Sequence, residues 1–180
     1  MKHKTILDCR IVSYNFDAKG RIDGLLIDIG GRTAQIRCRD ERAVALVREN
    51  GLGAALRVAV SAHVEHTKHE AAHPVYRLRE RRSTRGGAVL SATRKALVTG
   101  LVQRINYARH GQANGVVLEG GDYVHMKPRG MRRVPLVVGD RVEADGKVRI
   151  TQRGGRVVEA TAVNAVRLKG PRLETAEARP

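Results

Sequence analysis

Cys9-Arg10-Ile11-Val12-Ser13-Tyr14-Asn15-Phe16 is followed, after a turn, by Gly20-Arg21-Ile22-Asp23-Gly24-Leu25-Leu26-Ile27-Asp28. Further on the pattern returns: Gly100-Leu101-Val102-Gln103-Arg104-Ile105-Asn106-Tyr107, then Gly111-Gln112-Ala113-Asn114-Gly115-Val116-Val117-Leu118-Glu119. Asn15 aligns with Asn106, Phe16 with Tyr107, Gly20 with Gly111, Asp23 with Asn114 and Gly24 with Gly115, all at one ungapped offset of 91. Each block reads as two apolar strands joined by a turn. The chain is therefore expected to hold one small β module twice. The offset is too long for a solenoid, whose repeats run about 20–50 residues.

Working outward from the first block, residues 6–16 and 21–29 read as strands, Gly30-Gly31 turns the chain, and residues 33–39 make a third strand. Asp40 is expected to cap a helix over 41–50 that stops at Gly51. Residues 56–64 and 75–79 give two more strands. The second copy repeats the order over 97–106, 112–119 and 122–127, then 138 onward and 156–166. Pro128, Gly130 and Pro135 there predict a loop in place of the helix. The expected divisions are a first barrel over 1–80, a basic linker over 81–96, a second barrel over 97–166 and a flexible tail over 167–180.

The 180 residues suit two small domains. Thirty-four Lys and Arg face eighteen Asp and Glu, for a net charge of +16. The excess is shared, +7 over residues 1–90 and +9 over 91–180, so neither half is a neutral scaffold. Such a chain accumulates polyanions by counterion release. Arg outnumbers Lys 26 to 8, and Arg makes bidentate phosphate contacts and stacks on bases. No apolar run reaches the length of a membrane span, and no signal-peptide core follows the basic N-terminus. Cys9 and Cys38 make no disulfide framework and are expected as buried structural thiols of a soluble, cytoplasmic protein.

Three strands, a helix or loop and two further strands, in a basic module with a Gly-Asp turn at Val138-Gly139-Asp140-Arg141-Val142, resemble the OB-fold. An SH3-like barrel shares much of this pattern. The resemblance covers residues 5–80 and 97–166 and implies an all-β protein of two tandem five-stranded OB-like barrels, with a short helix in the first. It also implies oligonucleotide binding across strands two and three, flanked by the loops between strands one and two and between strands four and five. Carried over, that surface takes Phe16, Lys19 and Arg21 with Arg32, Arg37 and Arg39 in the first copy. In the second it takes Arg104, Tyr107 and Arg109 with Tyr123, His125 and Lys127. Arg79, Arg81, Arg82 and Arg85 at the joint read as a linker or as an added phosphate strap.

The chain has no Trp, one Phe and four Tyr, too few for the stacking platforms of general single-strand binders. Phosphate contacts should dominate, with RNA somewhat favoured over single-stranded DNA. Phe16 and Tyr107 read either as stacking rings or as core residues closing a barrel end. His63, His66, His69 and His73 have metal-ligand spacing, but a polar hairpin is the preferred reading, and neither metal nor cofactor is expected. No P-loop, dinucleotide glycine fingerprint, HExxH or CxxC is present, so catalysis is not expected. The expectation is a non-catalytic nucleic-acid-binding component of a nucleoprotein assembly. The alternative is a protein–protein adaptor whose basic barrels dock an acidic partner.

Overall fold

The computed structural model describes residues 5–62, 71–79, 94–150 and 156–168. In the first copy β1 (Thr5–Phe16), β2 (Ile22–Ile29), β3 (Arg32–Arg37), β4 (Ala55–Ala62) and β5 (Val75–Leu78) close into a barrel in the order β1-β2-β3-β5-β4. Only β3 and β5 run parallel. α1 (Asp40–Asn50) bridges β3 and β4 and packs Ala43 and Leu46 into the barrel core beside Ile11, Leu25, Ile27 and Ile36. The helix starts at Asp40 with Arg39 as its N-cap, one residue earlier than expected. It stops at Gly51, whose φ of 87° suits glycine and whose N–H donates to the Val47 carbonyl.

The second copy repeats the topology with β6 (Arg94–Tyr107), β7 (Ala113–Leu118), β8 (Tyr123–His125), β9 (Arg141–Ile150) and β10 (Arg156–Val163). β9 pairs with both β6 and β10 and closes the barrel, and a two-residue strand, β11 (Val166–Arg167), lies on the outer edge of β10. The chain is thus all-β, two five-stranded OB-like barrels in tandem.

Strand register carries the duplication further than residue identity does. Asn15 faces Gly24 and Asn106 faces Gly115; Tyr14 faces Leu25 and Ile105 faces Val116. The ladder slips between Ile11 and Ser13 and between Asn15 and Phe16, and slips again at the same two places 91 residues on. At the third strand the offset falls to 88, because Gly24 faces Arg37 while Gly115 faces His125.

Three boundaries differ from the sequence reading. β6 begins at Arg94, inside the segment expected to be linker, because residues 94–96 find partners in β9. At the other end, Arg167 pairs in β11 and Leu168 packs against the second core, so ordered structure runs past 166. Most instructively, the expected loop after β8 contains a helix, α2 (Lys127–Arg133). Pro128 lies in its first turn, where no intrahelical bond needs the missing N–H, and Pro135 falls beyond its end. α2 sits where α1 sits in the first barrel and contributes Met131 to the core.

Candidate nucleic-acid interface

Alternation along each strand sends one set of side chains into a barrel and the other outward. On the outer face of the first barrel, Asn15, Gly24, Arg37 and Arg77 form one cross-strand row; Ser13, Leu26, Gln35 and Val75 form the next. The second barrel repeats both rows as Asn106, Gly115, His125 and Glu159, and as Arg104, Val117, Tyr123 and Val157. Outward residues should be wet. Yet Asn15, Gln35 and Asn106 are 0% exposed, Tyr123 2% and His125 4%. The reason is that these two faces pack on each other.

Phe16 leaves the end of β1 and covers Val117, Tyr123 and Val157 of the second barrel, its ring 5.5 Å from that of Tyr123. The Arg104 guanidinium lies over the other partner of this stack, 5.5 Å from the Phe16 centroid. Asn106 clasps the Phe16 backbone: its Oδ1 accepts from the Phe16 N–H at 3.0 Å and its Nδ2 donates to the Phe16 carbonyl at 3.0 Å. The same Nδ2 lies within hydrogen-bonding distance of Asn114 Oδ1 (2.8 Å) and the Tyr123 hydroxyl (3.1 Å). In return, the β6–β7 turn of the second barrel reaches the β4–β5 loop of the first. The Ala72 N–H donates to the Gly111 carbonyl, and Tyr107 meets His73 edge-on at 4.4 Å. His73 is itself buried against Gln35, 3.2 Å away.

Burial shifts the ionisable groups of this junction. It pulls His73 down to about 4 and Arg104 down to about 10. Burial, with the neighbouring Asp17 charge adding to it, pushes the Asp23 carboxyl up to about 6. The His125 imidazole is lowered, chiefly by burial.

The sequence-derived site residues therefore fall into two groups. Phe16, Arg104, Tyr107, Tyr123 and His125 lie in the junction and face the other barrel rather than solvent. Lys19, Arg21, Arg32, Arg39, Arg79, Arg109 and Lys127 are exposed, with Arg21 held by Asp17 at 2.7 Å. Arg37 is half-buried between them. Arg81, Arg82 and Arg85, like His63, His66 and His69, lie outside the described residues.

Two cationic groups were not recognised as groups from sequence, which singled out Lys127 alone of α2 and none of β5. α2 exposes Lys127, Arg129, Arg132 and Arg133 and has no acid in its first turn. Their recurrence within seven residues was the available signal, hidden by reading Pro128 as a helix breaker. Arg77, exposed on β5, is the cross-strand partner of Arg37. Only the parallel pairing of strands 40 residues apart reveals that.

Cys9 and Cys38 form no disulfide, and Cys38 is half-buried rather than buried as expected. Cys9 is buried on β1, and burial, with Asp8 nearby, raises its thiol pKa. Among the described residues no helix is long and apolar enough to cross a membrane. No protein-family model, curated protein or solved structure matches the chain.

Proposed function

We propose that the protein binds nucleic acid, RNA or single-stranded DNA, through its phosphate backbone and without catalysis, as a component of a nucleoprotein assembly. The observation that carries this reading is α2, seven residues that expose four cations and no carboxylate. It supplies, on a rigid element, the row of charges that releases counterions from a phosphate chain. Packing of the two OB-like faces on each other also removes the aromatic rings from base contact, which favours backbone over base recognition.

The test is fluorescence anisotropy of a random-sequence oligonucleotide across a salt series. If six to eight phosphates are neutralised, the log–log slope is about −4 to −6, at about −0.7 per phosphate. A flat response removes the reading.

One observation favours the adaptor alternative. Val137 and Val138 are 63% and 64% exposed, and their turn is bonded to Val102 beside exposed Leu101 on β6. Such a patch suits a protein partner. No oligonucleotide binding even at low salt would leave this as the surviving proposal.

A further inference from the structure

The duplication leaves the same sheet edge open in both barrels. Over residues 94–101, β6 pairs with β9 on one side, without a slip in register. β7 joins the other side only from Val102, because the chain turns back at Gly120-Gly121 after Leu118. Val102 bonds toward β9, donating to Asp140 and accepting from Gly139, whereas the Leu101 carbonyl accepts from Glu119 on the opposite side. Backbone groups alternate in direction along an antiparallel ladder. The N–H and C=O groups of Lys95, Leu97 and Thr99 therefore point to the open edge, where no partner meets them among the described residues.

β1 repeats this geometry. It pairs with β4 over Thr5–Arg10 and with β2 only from Arg10. The side chains differ. Ile6, Asp8 and Arg10 stand at the positions of Leu97, Thr99 and Leu101. Asp8 pairs with Arg57 across the ladder at 3.5 Å, and Arg10 donates to the Gly53 carbonyl. Charges of this kind guard an exposed edge against pairing. The second edge has none from Ala96 to Gln103. Leu97 is 59% exposed and Leu101 39%, with exposed Thr99 between them.

We propose that this edge of β6 pairs with the same edge of a second copy, antiparallel about a two-fold axis at Val98. Leu97 of one copy then faces Thr99 of the other, and Lys95 faces Leu101, so no charge meets a like charge. A continuous sheet results, ordered β9-β6-β6-β9, with both Leu97 side chains near its centre. The flanking charges select this occupant. Outward on β9, Arg141, Glu143, Asp145 and Lys147 lie opposite Leu101, Thr99, Leu97 and Lys95. Two cations offset two carboxylates there, and Lys95 leaves an excess of one, on a chain of net charge +16. An acidic partner finds little to hold in so balanced a strip, whereas a second copy brings the same balance and the same unpaired edge. A contact one strand long is small, so the dimer is weak.

Sedimentation equilibrium of the full chain after nuclease treatment tests this. Between about 1 and 300 µM the chain should pass from monomer to dimer, as suits a small interface. Added salt should strengthen the dimer, because it screens repulsion between two cationic copies. Leu97→Lys should weaken it at least about a hundredfold, since two leucines lose their cover in each dimer. Thr99→Pro should also weaken it, by removing an edge N–H that the ladder with β9 does not use. Ile6→Lys, the equivalent change on the guarded edge, should leave association unchanged. At monomeric concentration Leu97→Lys should melt with the parent, because the side chain it replaces is exposed.

A chain that stays monomeric to about 300 µM would overturn the dimer. Hydrogen exchange at Leu97 and Thr99 would then tell an edge covered by another segment of this chain from one left for a different protein. Association that survives Leu97→Lys, or that Ile6→Lys weakens equally, would overturn it too. So would association that salt weakens, the mark of bridging by residual nucleic acid. The dimer needs no nucleic acid, so it and the nucleic-acid reading fail separately.

Discussion

Asn15 and Asn106 occupy one position of the repeat and have opposite surroundings. Asn106 holds the Phe16 backbone from the other barrel, whereas the side chain of Asn15 makes no hydrogen bond. Asn106→Ala should therefore cost about 1–3 kcal/mol, because it strands a buried N–H and carbonyl; Asn15→Ala should be close to neutral. Urea unfolding of the two variants checks the contrast. Acid titration makes a second prediction at this scale. The folded-state pKa of Asp23 lies near 6 against an ordinary 3.8, so the folded chain holds that proton more tightly and loses stability as pH rises through this window. His73 works the other way. With its pKa lowered from 6.5 to about 4, the folded chain favours neutral imidazole and loses stability as pH falls through that range. His125, also lowered, adds to the His73 side. The opposing slopes largely cancel between about 4 and 6. Asp23→Asn should gain up to about 3 kcal/mol at pH 7, at about 1.4 kcal/mol per pKa unit, and then lose stability more steeply than the parent on acidification. Parallel stability profiles from pH 4 to 7 would show that the Asp23 carboxyl titrates alike in the folded and unfolded chain.

At the level of elements, α1 was legible and α2 was not. Val44, Leu46 and Val47 ahead of Gly51 announce a helix with a stop, whereas Pro128 and Gly130 suggest a break. Proline excludes helix only where an N–H is needed, and the first turn needs none. A fourfold Lys127→Gln, Arg129→Gln, Arg132→Gln, Arg133→Gln variant should fold normally, since exposed charges contribute little to stability. Its salt slope for oligonucleotide should be shallower by up to about 3, with affinity lost uniformly across sequences. An unchanged slope would move the binding surface off α2. Strand two makes its own test through the repeated glycine. A Cβ on Gly24 would collide with the Ile36 carbonyl oxygen, and one on Gly115 with that of Val124. Gly24→Ala and Gly115→Ala should each destabilise by about 1–3 kcal/mol, seen as a lower urea midpoint.

Across the whole molecule, the barrels use their outer OB faces on each other. Phe16 is the principal bridge, packed at once against the first core and against Val117, Tyr123 and Val157. The barrels should therefore unfold together. Phe16→Asp would bury a charge among apolar groups and beside the Tyr123 ring, and should split one calorimetric transition into two. Two transitions in the parent chain would mean that the junction contributes little. Rings suited to stacking are spent on joining the barrels, and the cations of α2 stay exposed.

Local pattern determined the barrels. Period-two alternation, glycine turns and the offset of 91 specify the strands and their succession along the chain, because these depend on neighbours close in sequence. The sequence also marked Phe16, Tyr107, Asn15 and Asn106 as special by repeating them. It could not say what they touch. An aromatic at the end of a strand looks the same whether it stacks on a base, closes a barrel or bridges two barrels. That choice is made by side chains 90 residues away, as when Asn106 meets the Phe16 backbone. The pairing of Arg37 with Arg77 likewise exists only once β3 and β5 lie parallel. Charge composition is a property of the chain, but charge placement is a property of the fold.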